Sequence, residues 1–217
     1  MANMTVLDEL VAVVTRLRGP GGCPWDAEQT HESLVKYLIE ETYELVEAIE
    51  SGSRDDVLEE LGDVLYQVLF HAEVAAKALE GAFTIDDVAA QTIAKMVRRH
   101  PHVFGDSVAA TAADVAAAWD DLKRAEKPAR VSVLDGIPTG MPALALADKI
   151  IGRAEKAGVL VSPADGAPGE CADDEADLGR RLFATVAAAR SAGLDADRAL
   201  RGALREVQRA IRASETA

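Results

Sequence analysis

Apolar residues recur along this chain at intervals of three and four, the spacing that places side chains on one face of an α-helix. This spacing predicts helices over residues 4–18, 26–50, 53–79, 84–100, 111–127, 143–157, 174–192 and 195–213. No stretch alternates apolar and polar residues between turn signals, as a strand would. The pattern therefore predicts an all-α fold.

Turn-forming residues divide these helices into two groups. The segment 129–140 is rich in proline and glycine, which end helices and favour turns, and we interpret it as a linker. This predicts a helical domain over 1–128 and a second helical region over 141–217, with a glycine- and proline-rich loop at 158–172. Within the first domain, Ser51-Gly52-Ser53 predicts a tight turn between two antiparallel helices.

Two acidic residues lie at positions where a helix would normally bury apolar side chains. Glu41 follows Leu38 by three residues, on the apolar stripe of the helix before the turn. Glu60 follows Val57 by three residues, on the stripe of the helix after it. Residues three apart share a helix face. Glu44 therefore lies on the same face as Glu41, and Asp63 lies on the same face as Glu60.

The spacing of these four acids about the turn is symmetric. Glu44 and Glu60 are each eight residues from Gly52, and Glu41 and Asp63 are each eleven residues from it. At about 1.5 Å per residue, an antiparallel hairpin brings the members of each pair to the same level. The sequence therefore predicts a cluster of four carboxylates between two facing helices.

The net charge of the 217-residue chain is −14, and residues 40–63 contain ten acids and one base. Such an acidic chain disfavours nucleic acid as a partner, because phosphate backbones are negatively charged. No run of 18 apolar residues predicts a membrane span, and neither a basic leader nor a close cysteine pair is present. We therefore expect a reduced, cytoplasmic protein.

Oxygen ligands without a nearby histidine or cysteine favour Mg²⁺, or Mn²⁺, over Zn²⁺ or Cu²⁺. A single ExxE pair on a helix would be read as a solvated acidic face. Two pairs on buried stripes, symmetric about one turn, favour a cation site instead.

Several motifs of the first 127 residues together resemble the MazG family of nucleoside triphosphate pyrophosphohydrolases. They are Gly22-Cys-Pro-Trp-Asp26, Glu28-Gln29-Thr30, Leu38-Ile-Glu-Glu-Thr-Tyr-Glu44, Glu59-Glu-Leu-Gly-Asp63 with Gln67, Lys95-x-x-Arg98-Arg99-His-Pro-His-Val-Phe104, and Trp119-x-x-x-Lys123. The resemblance implies an all-α bundle that assembles as a homodimer or higher homo-oligomer. It implies Mg²⁺-dependent hydrolysis of a (deoxy)nucleoside triphosphate, damaged ones included, to the monophosphate and pyrophosphate.

The resemblance also implies roles for particular residues. Glu41, Glu44, Glu60 and Asp63 match the metal ligands of the family, and Glu40 or Glu41 would orient or deprotonate the attacking water. Lys95, with Arg98 or Arg99, would contact phosphate. Three further substrate-binding candidates are Trp25, Trp119 and Lys123. Three of these residues have structural alternatives: Glu40 would anchor a basic residue or helix packing, and Trp25 and Trp119 would pack inside the protein.

The second helical region resembles a shortened, degenerate copy of the first. Asp177-Leu-Gly-Arg-Arg-Leu-Phe183 aligns with Glu60-Leu-Gly-Asp-Val-Leu-Tyr66, with Arg180 at the position of Asp63. The helix carrying the first acidic pair has no counterpart. We expect this region to be non-catalytic and to serve packing or oligomerisation.

Three other interpretations stay open at the level of sequence. The chain could be a specialised dUTP, dCTP or phosphoribosyl-ATP hydrolase of the same superfamily. It could instead be a non-catalytic helical module that binds a nucleotide or a partner protein. The four clustered acids argue against this interpretation, because a pure scaffold gains nothing from them. A helical metal-storage protein is disfavoured by the missing histidine ligands.

Overall fold

The computed structural model describes residues 4–159 and 174–215, and this part of the chain is helical without strands. Ten helices follow one another along it: α1 (Val6–Arg18), α2 (Pro24–Glu28), α3 (His31–Ser51), α4 (Arg54–Ala76), α5 (Ile85–Arg99), α6 (Pro101–Phe104), α7 (Ala112–Ala125), α8 (Ala143–Lys156), α9 (Glu175–Ser191) and α10 (Ala196–Glu215). The prediction of an all-α fold is confirmed. Among these helices, none is long and apolar enough to cross a lipid bilayer.

The chain divides into two compact units, Met1–Trp119 and Asp120–Ala217. The segment 129–140, predicted as a linker, belongs to the second unit. Most of the loop predicted at 158–172, including Cys171, lies outside the described residues.

The prediction of one helix over 26–50 is wrong, because the chain breaks between α2 and α3. Thr30 is extended (φ −118°, ψ 170°), and its side chain accepts a hydrogen bond from the backbone N–H of Ser33. The Ser33 hydroxyl in turn accepts one from the backbone N–H of Thr30 at 3.0 Å. This reciprocal cap begins α3, whereas α2 begins at Pro24, whose fixed φ favours the first helical position. The short helix α6 after Pro101 was also not predicted.

Helices α3 and α4 form the antiparallel hairpin that the turn at Gly52 predicts. Glycine is required there, because an added Cβ would lie 2.8 Å from the backbone of Ala48. The buried core of this unit comprises Val14, Leu34, Leu69 and Phe70. Leu34 and Leu69 lie far from the turn on their helices, so the middle of the hairpin lies between the core and the turn.

We expect Phe70→Ala to lower the free energy of unfolding by about 3–5 kcal/mol, the usual cost of emptying a buried aromatic site. Phe70 is 1% exposed, stacks with Tyr66 at 5.5 Å and lies under the Arg18 guanidinium. Leu79→Ala is the control, because Leu79, three residues after the end of α4, is fully exposed; it should cost less than about 1 kcal/mol. Equal losses in urea unfolding would place Phe70 outside the core.

Candidate metal centre

Three carboxylates meet across the α3–α4 hairpin. One oxygen each of Glu41, Glu60 and Asp63 lies within 4.8 Å of the other two. Glu41 comes from α3, and Glu60 and Asp63 come from one face of α4. The symmetric spacing about Gly52 therefore produces the contact between helices that the sequence predicts.

Glu44, one turn after Glu41, joins this cluster from a more exposed position. Its negative charge raises the pKa values of both Glu41 and Glu60. The structure thus brings three of the four predicted carboxylates within 4.8 Å of one another, and Glu44 as a fourth ligand stays a prediction. Glu40 is exposed and lies beside them on α3.

The cluster is electrostatically unfavourable as it stands. Burial raises the pKa of Glu41, and the negative charges of Asp63 and Glu44 raise it further. Burial and the charges of Glu44 and Asp63 likewise raise the pKa of Glu60. Oxygen Oε2 of Glu60 is buried and has no hydrogen-bond partner among the described residues. A buried acceptor of this kind is costly unless a proton or a cation meets it.

We expect Glu60→Gln to raise the melting temperature of the metal-free protein near pH 7 and to leave it nearly unchanged near pH 4. A carboxyl whose pKa is raised on folding stabilises the fold while protonated, and this contribution is lost as pH rises from the ordinary value of 4.5 through the folded value. Glu47→Gln, at an exposed position of α3, is the matched control. Thermal scans that show the same shift for Glu60→Gln at both pH values would contradict this linkage.

The predicted phosphate-binding cations lie on a different helix. Lys95, Arg98 and Arg99 are in the last two turns of α5, a helix that packs on α4. The Arg99 guanidinium lies 5.5 Å from the centre of the Trp119 ring. His100 meets the same ring edge-on at 5.3 Å, and its Nδ1 is 2.7 Å from the carbonyl of Met96.

Trp119 is half-buried and contacts Arg99 and His100 of its own unit. Stacking of Trp119 on a base, and contact of the α5 cations with phosphate, stay predictions. Lys123 belongs to the second unit, where it lines a cavity with other basic residues.

Trp25 lies at the start of α2, is 49% exposed, and meets the Tyr37 ring edge-on at 5.6 Å. Its backbone carbonyl accepts a hydrogen bond from the Gln29 side chain at 2.9 Å. One face of this tryptophan thus packs while the rest stays accessible. This position allows Trp25 both to pack on Tyr37 and to contact a base, and the base contact stays a prediction.

Arg18 positions this segment, and helical periodicity does not identify it as a buried residue. Arg18 is buried at the end of α1 and donates to the backbone carbonyls of Asp26 and Gln29. It thereby fixes α2, which carries Trp25, relative to the core. A basic residue in the last turn of a helix is usually interpreted as an exposed complement to the helix dipole.

The segment that we predict to be a degenerate copy of the acidic motif contains an acid that is paired within its own helix. Asp177, which aligns with Glu60, is buried and pairs with Arg181 at 2.7 Å and Arg180 at 3.4 Å. In the sequence alignment, Arg180 corresponds to Asp63. Two guanidinium groups occupy the surroundings of this carboxylate, so it differs chemically from the cluster in the first unit.

Comparison with known proteins places these residues within a described domain. The model of the "MazG nucleotide pyrophosphohydrolase domain" matches residues 29–104, which include the whole carboxylate cluster. A "Nucleoside triphosphate pyrophosphohydrolase/pyrophosphatase MazG" from Thermotoga maritima is 40% identical over 215 residues, covering 93% of this chain and 82% of that protein.

Two further relatives differ in length. An uncharacterized 26.1 kDa protein from Streptomyces cacaoi is 49% identical over 207 residues, covering 95% of this chain and 81% of its own. A nucleoside triphosphate pyrophosphohydrolase from Mycobacterium tuberculosis is 52% identical over 154 residues, covering 70% of this chain. The chain spans only 46% of that longer relative.

Proposed function

Since the chain belongs to the MazG family of nucleotide pyrophosphohydrolases, and is thus a hydrolase, we propose that it cleaves (deoxy)nucleoside triphosphates, damaged ones included, into monophosphate and pyrophosphate. Water attacks the α-phosphate in this reaction. Glu41, Glu44, Glu60 and Asp63 would hold the Mg²⁺, or Mn²⁺, ion. The convergence of these carboxylates across the α3–α4 hairpin is the observation that carries the proposal.

The residues fit a divalent cation of this type. Mg²⁺ prefers oxygen ligands, and one carboxylate oxygen each of Glu41, Glu60 and Asp63 lies within 4.8 Å of the other two. The buried, unpartnered Oε2 of Glu60 provides a lone pair that nothing in the described protein satisfies. A bound cation would also remove the repulsion that raises the pKa values of Glu41 and Glu60.

A divalent cation in such a site neutralises polyphosphate charge and lowers the pKa of a bound water. The protein's own carboxylates then have to place the nucleophile. Glu41 faces the cluster, and Glu40 is the exposed neighbour beside it. Either can accept the water's proton, since a general base needs only hydrogen-bond reach of the nucleophile.

Phosphoryl transfer depends chiefly on positioning and charge stabilisation. Lys95 and Arg98 or Arg99 supply positive charge from α5, the helix that packs on α4. Arginine suits this task because its planar fork binds two phosphate oxygens at once. Trp25 offers an accessible ring for a base, whereas the role of Lys123 stays a prediction.

The experiment is a panel of NTPs and dNTPs incubated with the full chain and Mg²⁺ in ¹⁸O-labelled water. We expect monophosphate and pyrophosphate, with the label in the monophosphate, because water attacks the α-phosphorus. Label in pyrophosphate would instead show that water attacks the β-phosphorus. Diphosphate with orthophosphate as products, or no hydrolysis of any nucleotide, would contradict the proposal. A strong preference for dUTP or dCTP would favour a specialised hydrolase.

A homodimer or higher homo-oligomer is part of the proposal. The α3–α4 hairpin exposes apolar side chains in two stripes, Val35, Ile39 and Tyr43 on α3 and Leu58, Leu61, Leu65 and Val68 on α4. Apolar surface of this extent favours association.

We expect Ile39→Glu together with Val68→Glu to lower the molar mass measured by light scattering. Val6→Glu, at an 82% exposed position of α1, is the control. An unchanged mass in the double variant would exclude this face as the interface.

A further inference from the structure

Two histidines join the beginning of α3 to the part of α4 that lies in the core. His31 is the first residue of α3, and His71 follows the core residue Phe70 on α4. Their Nδ1 atoms are 2.8 Å apart, which is the distance of a hydrogen bond between two ring nitrogens. Neither histidine belongs to the cluster of carboxylates, so the proposed cation site does not explain their contact.

The two histidine rings meet edge to edge. Their planes are within 6° of each other, and their centres are 5.1 Å apart. That distance equals the Nδ1–Nδ1 separation plus about one ring radius on each side, so each Nδ1 points straight at the other. Two bare lone pairs, or two N–H groups, would repel each other in this arrangement. The geometry therefore describes two imidazoles that share one proton between their Nδ1 atoms.

His71 is poorly placed to become charged. Its Nε2 is buried and has no hydrogen-bond partner among the described residues. A charged histidine carries a proton on both ring nitrogens, so a charged His71 would leave an unpaired N–H group inside the protein. Burial lowers the pKa of His71 below its ordinary value of 6.5, and the charge of His31 lowers it further. The folded protein therefore favours a neutral His71.

The charges on the surrounding helices do not offset a charge on His71. These helices, α1 to α5, carry the charged residues Arg18, Asp26, Glu32, Lys36, Glu73 and Asp87. Among the described residues, only His31 changes the pKa of His71 by its charge. Glu32, in contrast, interacts with His31: hydrogen bonding at the start of α3 lowers the pKa of Glu32, and the charge of His31 lowers it further. The first positive charge of the pair therefore belongs on His31.

We propose that the His31–His71 hydrogen bond is a latch that holds the first turn of α3 on α4 at neutral pH and opens in acid. The latch survives one positive charge, because a charged His31 still donates from Nδ1 to a neutral His71. It fails at the second charge, when two N–H groups face each other across 2.8 Å. The latch thus responds to the number of protons on the pair.

The latch is placed to control the connection between α2 and α3. His31 directly follows Thr30, whose cap begins α3, and Gln29, whose carbonyl accepts a hydrogen bond from Arg18 at 3.3 Å. Arg18 and the latch are therefore two separate ties between this connection and the core. Opening of the latch should loosen the connection while Arg18 still holds α2.

Hydrogen exchange of the full chain, measured by mass spectrometry, tests the latch. We expect backbone amides of residues 29–34 to exchange about tenfold faster near pH 5 than near pH 7.5, after correction for intrinsic rates, because one hydrogen bond is lost. A histidine whose pKa is lowered on folding stabilises the fold above pH 6.5, and this contribution is lost as pH falls from 6.5 through the folded value. The acid side is therefore where the amides should lose protection.

His31→Asn removes one ring of the pair at an exposed position. In this variant the same amides should exchange fast at both pH values, so the tenfold effect of pH should disappear. His102→Gln is the matched control, because it removes a histidine outside the pair, and it should keep the effect. An effect of pH in His31→Asn as large as in the wild type would overturn the inference, because other titrating groups would then be responsible.

Nuclear magnetic resonance of the histidine rings tests the latch without a substitution. Two coupled imidazoles take up their protons in separate steps, and we expect the second step of this pair to lie below pH 6.5. Independent titration of both rings near pH 6.5 would overturn the inference. Neither measurement depends on turnover, so the latch and the proposed hydrolysis stand or fall separately.

Discussion

Glu41→Gln and Asp63→Asn are each expected to lower turnover of a nucleoside triphosphate about a thousandfold while the protein stays folded. The proposed cation provides several kcal/mol of charge stabilisation in the transition state. Loss of about 4 kcal/mol of it corresponds to this factor. Both replacements keep the size of the side chain and remove a charge that repels its neighbours. The metal-free variants should therefore unfold at or above the wild-type temperature.

The matched control for these variants is Glu47→Gln. Glu47 lies on the same helix as Glu41 and is exposed, outside the cluster of carboxylates. Its loss should change turnover by less than about twofold, since surface substitutions away from a site have small effects. Wild-type activity in Glu41→Gln would contradict the proposed site, and so would an equal loss in Glu47→Gln. Circular dichroism separates loss of chemistry from loss of fold.

The hairpin and its acids could be predicted because each depends on local rules. Turn residues at Ser51-Gly52-Ser53 and two amphipathic stripes determine the pairing of α3 with α4. Once antiparallel pairing is given, equal distances from the turn place Glu41 near Asp63 and Glu44 near Glu60. The partial burial of Glu60 follows from its place on the apolar stripe of α4.

The break before α3 was harder to predict because two capping signals compete within eight residues. Asp26 with Gln29 has the spacing of a cap, but Pro24 begins α2 first and Asp26 becomes buried inside it. Arg18 then bonds to the carbonyls of Asp26 and Gln29, which uses acceptors that a continuous helix would need. Tertiary contacts of this kind have no signature in helical periodicity.

The histidine pair could not be predicted from spacing alone. His31 and His71 are 21 and 19 residues from Gly52, so the symmetry that brings the acids together does not bring these two residues together. Their contact depends on the orientation of both rings, which places one Nδ1 opposite the other. Contacts that depend on side-chain orientation are visible in the structure and not in helical periodicity.

Removal of divalent cations should abolish hydrolysis, and addition of Mg²⁺ or Mn²⁺ should restore it. The same cations should raise the melting temperature, because a ligand that binds only the folded state stabilises it by about 2.7 kcal/mol at 100 times its dissociation constant. The carboxylates repel one another without a cation, so the gain in stability should increase as pH rises above 4.5, the ordinary pKa of Glu60.

Asp63→Asn separates this stabilisation from non-specific salt effects. The variant should lose both the Mg²⁺-dependent gain in melting temperature and the restored activity, whereas Glu47→Gln should keep both. Ionic strength is held constant with NaCl, because exposed charges are screened by any salt. Turnover that survives chelation would exclude the cation from the reaction. A melting temperature that rises equally with Mg²⁺ in wild type and Asp63→Asn would exclude the carboxylate cluster as its binding site.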